Sequence, residues 1–169
     1  MPSRMDEMIS KGAGAAKSVK ARFEGLVGVF RTLAKQHGEV AAMLKRLQGK
    51  PEKRAELWPE IRKELLSHEQ AEMRELYPVL RQFGETRELA ERHDREAQQM
   101  EQLIQSLDSV ADATLWQTRF DQLVEAVMHH ADEEEQEIFP TAQAVMGEET
   151  AKVLDQKFLA TKAQIANAV

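Results

Sequence analysis

Apolar residues recur every three or four positions along most of the chain, which is the spacing of one face of an α-helix. The pattern breaks at 48–51, 82–86, 106–113 and 145–149. It therefore predicts four long helices and a shorter fifth, near residues 5–47, 52–82, 86–107, 113–141 and 148–166. Because the predicted connections are short, we expect an all-α fold: an up-down-up-down antiparallel four-helix bundle with an additional short C-terminal helix.

The composition agrees with this class. The 169 residues include only 8 Gly and 5 Pro, and residue types that favour helices dominate. A chain of this length fits a single domain with its own core. Gly12 and Gly14 weaken the helical prediction near the start, so residues 1–20 are interpreted as an extension of the first helix and residues 21–169 as the domain.

Charge and cysteine content exclude several functions. A formal net charge of −6 argues against a nucleic-acid partner, because phosphates attract basic surfaces. Cysteine is absent, which excludes thiolate nucleophiles and cysteine-ligated zinc or iron–sulfur sites. No apolar run resembles a signal peptide or reaches transmembrane length, so we expect a cytoplasmic protein with no membrane partner.

Two short motifs occur twice. "LAKQH", ending at His37, returns as "LAERH", ending at His93. The pattern H-x3-E-x3-[LI]-[YF]-P begins at His68 and again at His130. The first two helices therefore look like a copy of the next two, and a pseudo-twofold axis would make equivalent histidines face each other.

Polar residues interrupt the apolar faces of all four predicted long helices. At about 100° per residue, each helix places its histidine within the apolar stripe, and two of the helices add carboxylates on the same face. Ala131 occupies the position equivalent to Glu69, so the repeat is broken at one carboxylate. The inward-facing set is His37, His68, Glu69, Glu72, His93, His130 and Glu134.

This set predicts a metal site. A single core histidine is usually just hydrogen-bonded, but an unpaired buried carboxylate costs several kcal/mol or becomes protonated. No Lys or Arg occupies the same stripes, so we expect metal cations to supply the positive charge. Imidazole and carboxylate donors without thiolate suit iron or manganese, and zinc is also possible.

Counting donors predicts two ions. For two six-coordinate ions, we assign one position to each of the four histidines and one to Glu69, with Glu72 and Glu134 as bridges. A bridging oxo or hydroxo group then leaves one position for a small ligand. Dioxygen, peroxide or nitric oxide would bind there.

Other residues near the site can be interpreted either as part of it or as structural. Glu69 lies at the edge of its stripe and could accept a hydrogen bond from a ligand histidine instead of binding metal. His129 lies about 100° from His130, on the flank of its helix, and is interpreted as a non-ligand. Tyr77 and Phe139 are expected to pack one end of the bundle, although Tyr77 could donate a hydrogen bond toward the site.

With these residues the sequence resembles the hemerythrin-like family of HHE cation-binding domains. The paired H-x3-E-x3-[LI]-[YF]-P segments carry the resemblance, which covers all but about the first twenty residues. It implies a four-helix bundle around a non-haem di-iron centre. The implied ligands are His37, His68, Glu72, His93, His130 and Glu134.

The chain departs from the oxygen-carrying hemerythrins at three positions. Those proteins have H-x3-H on the third helix, whereas here the residue four positions after His93 is Ala97. Their last pair is H-x4-D, whereas here it is His130-x3-Glu134. They also lack a carboxylate at the position of Glu69. Replacing imidazole by carboxylate favours ferric iron, which argues against simple reversible oxygen carriage.

The leading hypothesis is a non-haem di-iron protein that binds or reacts with dioxygen or peroxide. A catalase-like or peroxidase-like di-iron enzyme and an iron-sensing or oxygen-sensing interaction module are the alternatives. Whether the chain is an enzyme stays open at this point.

Overall fold

The computed structural model describes residues 25–169, and every regular element in this range is helical. The all-α prediction is confirmed for these residues. A 3-10 turn at Pro51–Lys53 precedes the second helix, and a π-helical turn at Glu134–Ile138 follows the fifth. The α-helices are α1 (Gly28–Gly49), α2 (Arg54–Glu75), α3 (Tyr77–Leu80), α4 (Gly84–Asp108), α5 (Ala113–Glu133), α6 (Phe139–Met146) and α7 (Glu148–Ala168).

The first helix begins later than its periodicity predicts. Residues 25–27 are not helical and α1 starts at Gly28, so the prediction of one helix over 5–47 is wrong at this point. The cause is local: Gly25 has φ +116° and Gly28 has φ +55°, outside the right-handed helical region. The side chain of Gln143 holds the turn, accepting from the N–H of Val27 at 2.8 Å and donating to the Gly25 carbonyl at 2.6 Å. The predicted extension at 1–20 lies outside the described residues.

Both copies of the H-x3-E-x3-[LI]-[YF]-P motif interrupt a helix that the periodicity predicts to be continuous. In the first copy α2 ends at Glu75 and α3 restarts at Tyr77, with Pro78 in its first turn. In the second copy the π-helical turn separates α5 from α6, and Pro140 again lies in the first turn. Proline lacks an N–H group, so the regular hydrogen-bond ladder cannot run through either point.

Two apolar clusters form the core, one toward each end of the helices. One cluster contains Phe30 and Leu33 of α1, and the other contains Val40 and Leu44 of the same helix. His37 lies between them in sequence, so the polar residues form a layer between two apolar layers.

The helices α1, α2, α4 and α5 pack side by side, and α7 packs against α1 and α2. This is a helical bundle with an added C-terminal helix, and the up-down-up-down order stays a prediction. None of the helices described here is long and apolar enough to cross a membrane.

The start of α1 yields a stability prediction. A Cβ at Gly28 would lie 2.4 Å from the carbonyl carbon of Ala151 in α7, and its φ disfavours any L side chain. Gly28→Ala should therefore lower the free energy of unfolding by at least about 1–3 kcal/mol in a denaturant titration. Gly38→Ala is the matched control, because Gly38 is helical and a Cβ there meets nothing within 4 Å. The control should stabilise by up to about 1 kcal/mol, and equal effects would contradict this account.

Candidate metal centre

The fold brings all seven predicted residues together at the middle of the bundle. Their donor atoms form two groups, each with every member within 4.8 Å of the others. Glu72 belongs to both groups, which places it where a bridging ligand would be, whereas Glu134 falls in the larger group alone. The smaller group is His37, His68 and Glu72, and the larger is Glu69, Glu72, His93, His130 and Glu134.

Distances within the larger group show how closely the donors converge. Nε2 of His93 lies 3.1 Å from Oε1 of Glu69 and 3.6 Å from Oε1 of Glu134. Nε2 of His130 lies 2.5 Å from Oε1 of Glu134 and 3.4 Å from Oε2 of Glu69. In the smaller group, Nε2 of His68 lies 3.6 Å from Oε2 of Glu72.

The donor chemistry fits metal ions. Each of the seven side chains has at least one buried nitrogen or oxygen that lacks a hydrogen-bond partner among the described residues. Glu72 and Glu134 are fully buried, and none of the three carboxylates forms an ion pair with a Lys or Arg in the described part of the chain. Such groups are normally paired, so this arrangement is what a cation-binding site requires.

The outer nitrogens of the histidines face polar partners, as expected for metal-binding imidazoles. Nδ1 of His37 lies 3.2 Å from Oε1 of Glu135, and Nδ1 of His130 lies 3.3 Å from Oε2 of Glu96. Nδ1 of His68 lies 2.9 Å from Oε1 of Gln36. Nδ1 of His93 is 3.8 Å from Oδ1 of Asp94, too long for a hydrogen bond.

These outer partners are absent from the sequence-based prediction. Glu135 belongs to the acidic run 132–137, whose residues other than Glu134 the pattern places on a solvated face. The π-helical turn places Glu134 in the core and Glu135 against His37, with 15% of the Glu135 side chain exposed. The proximity of Gln36 to His37 in sequence is the one available signal, and it is weak.

The structure gives the positions of Glu69, His129 and Tyr77, whose roles the sequence alone did not decide. The oxygens of Glu69 approach the inward Nε2 atoms of His93 and His130, not their outer nitrogens, which favours the ligand reading. The His129 side chain is 69% exposed and pairs with Glu133 at 3.4 Å; it forms a separate, more exposed group with Glu96 and Glu133, apart from the two buried donor groups. The Tyr77 ring stacks on His93 at 3.5 Å, and its buried hydroxyl has no hydrogen-bond partner among the described residues.

Burial and mutual charge shift the acid–base properties of the cluster. Burial, with the nearby His37, lowers the pKa of His68 to about 3, which leaves this ring neutral. Burial and the facing Glu134 and Glu69 raise the pKa of Glu72 well above its usual value. Burial alone would lower the pKa of His93 and of His130, but the facing carboxylates raise both well above the usual value. Without metal, Glu72, His93 and His130 therefore keep their protons to a higher pH than the free side chains would.

A small cavity adjoins the donors. Its volume is about 50 Å³, and its walls are mainly apolar, with Leu65, Met100, Ile104 and Ala131 among them. His68, Glu69 and His130 border it on the side of the site. Ala131, the counterpart of Glu69 in the repeat, contributes a small side chain to this space. A second carboxylate at that position would reduce it.

Comparison with known proteins agrees with the fold and the site. The model of the hemerythrin HHE cation-binding domain matches residues 22–142, and the chain belongs to this family. A DNA nickase from Nostoc sp. (strain PCC 7120 / SAG 25.82 / UTEX 2576) is 28% identical over 171 residues, covering 90% of this chain and 48% of that protein. The chain thus spans about half the length of that curated relative. No solved structure matches this chain.

The protonated state of the cluster predicts how metal binding depends on pH. Metal requires the lone pairs that protons occupy, so loading of the metal-free protein with iron(II) should release protons. Because the pKa values of Glu72, His93 and His130 are raised, apparent affinity should increase from about pH 6 to about pH 8. Anaerobic titration with a pH indicator measures the release. The exposed His129→Ala variant should behave like wild type, and pH-independent binding without proton release would contradict the assignment.

Proposed function

We propose that the chain is a non-haem di-iron protein that binds or reacts with dioxygen or peroxide at the His/Glu cluster. The observation that carries this proposal is the buried set of seven inward side chains whose donor atoms lack hydrogen-bond partners. Two iron ions would bring positive charge to the cluster, redox chemistry and open coordination positions for a small molecule. Manganese or zinc could replace iron in the same donors.

The assignment of residues follows the two donor groups. His37 and His68 would bind one ion, and His93, His130, Glu69 and Glu134 the other, with Glu72 bridging both. An oxo or hydroxo group would complete the bridge. The carboxylate-rich larger group carries more negative charge than the smaller one, so we expect its ion to be held more tightly.

The size and lining of the cavity favour a small ligand over a larger organic substrate. A volume of about 50 Å³ accommodates a molecule of a few heavy atoms, and its apolar walls favour a neutral one. Dioxygen, nitric oxide and hydrogen peroxide meet both conditions. The apolar walls also lower the local dielectric constant beside the donors, which strengthens electrostatic interactions there.

The alternatives differ in what the same centre does. In a catalase-like enzyme, added peroxide would be converted to water and oxygen, and oxygen evolution measures this turnover. In a peroxidase-like enzyme, peroxide would be reduced to water by an added electron donor, and oxidation of that donor measures the turnover. In a sensor, iron would control exposure of a surface, and protease resistance with and without a chelator measures that. The name of the Nostoc relative raises DNA nicking, but the acidic net charge of −6 disfavours a nucleic-acid partner. Conversion of supercoiled plasmid tests it, and we expect none.

Metal analysis tests the leading proposal. Protein purified after growth with iron should contain two iron ions per chain and show the near-ultraviolet absorption of an oxo bridge. Glu72→Gln should retain no more than one iron, because Glu72 is the residue that both donor groups share.

The matched control for that variant is His129→Ala, which changes an exposed histidine on the helix that carries His130 and should keep both ions. Metal-free Glu72→Gln should fold about as well as wild type, because the raised pKa of Glu72 already favours its uncharged form and the amide has nearly the same shape. Wild-type protein with neither two irons nor the band would refute the proposal.

The cavity provides a second test. Ala131→Leu adds three carbon atoms to a wall of the cavity without touching a donor, so iron content should stay at two per chain. Reaction with dioxygen or peroxide, followed by stopped-flow absorption, should slow by about 5–150-fold, because the leucine would occupy the space that the ligand needs and relieving such overpacking costs about 1–3 kcal/mol. Ala55→Leu, at an exposed alanine of α2, is the control. Unchanged rates in Ala131→Leu would show that the ligand does not use this space.

A further inference from the structure

Gln36 links the cluster to the C-terminal helix. This glutamine is 8% exposed and precedes His37 on α1. Its Oε1 lies 2.9 Å from Nδ1 of His68 and 3.0 Å from Nζ of Lys162. Lys162 belongs to α7, beyond the residues 22–142 that the family model matches. The same ammonium group pairs with the Glu64 carboxylate of α2.

His68 differs from the other cluster histidines in the chemistry of this outer partner. His37, His93 and His130 have Glu135, Asp94 and Glu96 near Nδ1, and an ionised carboxylate offers only acceptor oxygens. Gln36 instead offers an oxygen that accepts and an NH2 group that donates. The end of the amide that faces His68 decides which ring nitrogen carries the proton.

Lys162 removes this ambiguity. An ammonium group only donates, so the amide oxygen, not the NH2 group, must face Lys162. The same oxygen faces Nδ1 of His68, so Nδ1 must carry the proton. Nε2 then has a free lone pair and points toward Glu72 at 3.6 Å. We propose that Lys162 is a positioning residue that fixes the orientation of the Gln36 amide and thereby keeps His68 in its metal-binding tautomer.

Other contacts of α7 hold Lys162 in place independently of a metal. The Phe158 ring stands edge-on to His68 with centroids 6.0 Å apart, and Thr161 donates to Glu75 at 2.7 Å. Four residues separate Phe158 from Lys162, so both lie on the face of α7 that packs toward the cluster. The C-terminal helix thus supplies an outer partner of the site in addition to covering α1 and α2.

The tautomer can be measured in the metal-free protein, so the main test does not depend on the proposed function. The role of this tautomer in metal binding rests on the proposed function. Two-bond proton–nitrogen spectra of 15N-labelled histidine distinguish a protonated Nδ1 from a protonated Nε2. Wild type should show protonated Nδ1 at His68. Lys162→Met, which keeps the apolar stem but cannot donate, should show a substantial population with protonated Nε2.

Three further variants separate positioning from simple structural support. Lys162→Arg keeps a donor-only group and should preserve the wild-type tautomer. Gln36→Glu combined with Lys162→Met should restore protonated Nδ1, because a carboxylate accepts in either orientation. Lys152→Met removes an exposed lysine of the same helix and should change nothing.

Metal affinity gives the second readout. Titration with iron(II) or zinc should show that Lys162→Met weakens one of two ions by about 10–100-fold, the range expected for loss of an outer partner. The double variant should recover most of this loss. If wild type binds no metal but the tautomer responds as described, the proposed function fails and the positioning role stands.

Two results would overturn the proposal. One is a Lys162→Met protein that keeps protonated Nδ1 at His68. The other is a double variant that, once folded by circular dichroism, does not regain it. If Lys162→Met does not fold, the double variant decides: a folded protein with protonated Nδ1 supports the proposal, and an unfolded one assigns Lys162 a purely structural role.

Discussion

The burial of three carboxylates between two apolar layers is the constraint on which the rest of this structure depends. Glu72 and Glu134 are fully buried, and Glu69 faces the same histidines with only 18% of its side chain exposed. Taking ionised carboxylates out of water costs several kcal/mol each unless positive charge accompanies them. A domain has only about 5–15 kcal/mol of net stability, so the cluster must either hold protons or bind cations. The raised pKa values of the cluster correspond to the protonated state, and the convergent lone pairs correspond to the cation-bound state.

The repeat gives the cluster its symmetry, and three departures from it give the cluster its specific chemistry. Glu69 has no counterpart, because the equivalent position is Ala131. This single difference adds a donor to one group and leaves space for a small molecule beside it. The interruption after the second motif is a π-helical turn, which occurs often at functional sites. His68 alone relies on an amide, and a helix outside the repeat orients that amide.

The helical class and the seven candidate donors could be predicted from sequence because both rest on a single period of 3.6 residues. Placing His68 and Glu72 on one face of α2 requires no knowledge of other helices. The start of α1 could not be predicted in this way, since the close approach of Gly28 to Ala151, far along the chain, is visible only in the folded structure. Glu135 and Lys162 also escaped prediction. Glu135 lies against His37 because the π-helical turn changes the helical period. Lys162 bonds to Gln36, which is 126 positions away in sequence.

Unfolding of the metal-free protein, followed by calorimetry under anaerobic conditions as iron(II) is added, tests the central claim most directly. A cation bound only by the folded cluster stabilises it in proportion to the logarithm of its concentration. If the cluster binds a cation, the unfolding midpoint should rise steadily with iron concentration and return to its starting value when a chelator is added. A midpoint that is the same with and without iron would mean that the buried carboxylates need no cation, and the account would be wrong.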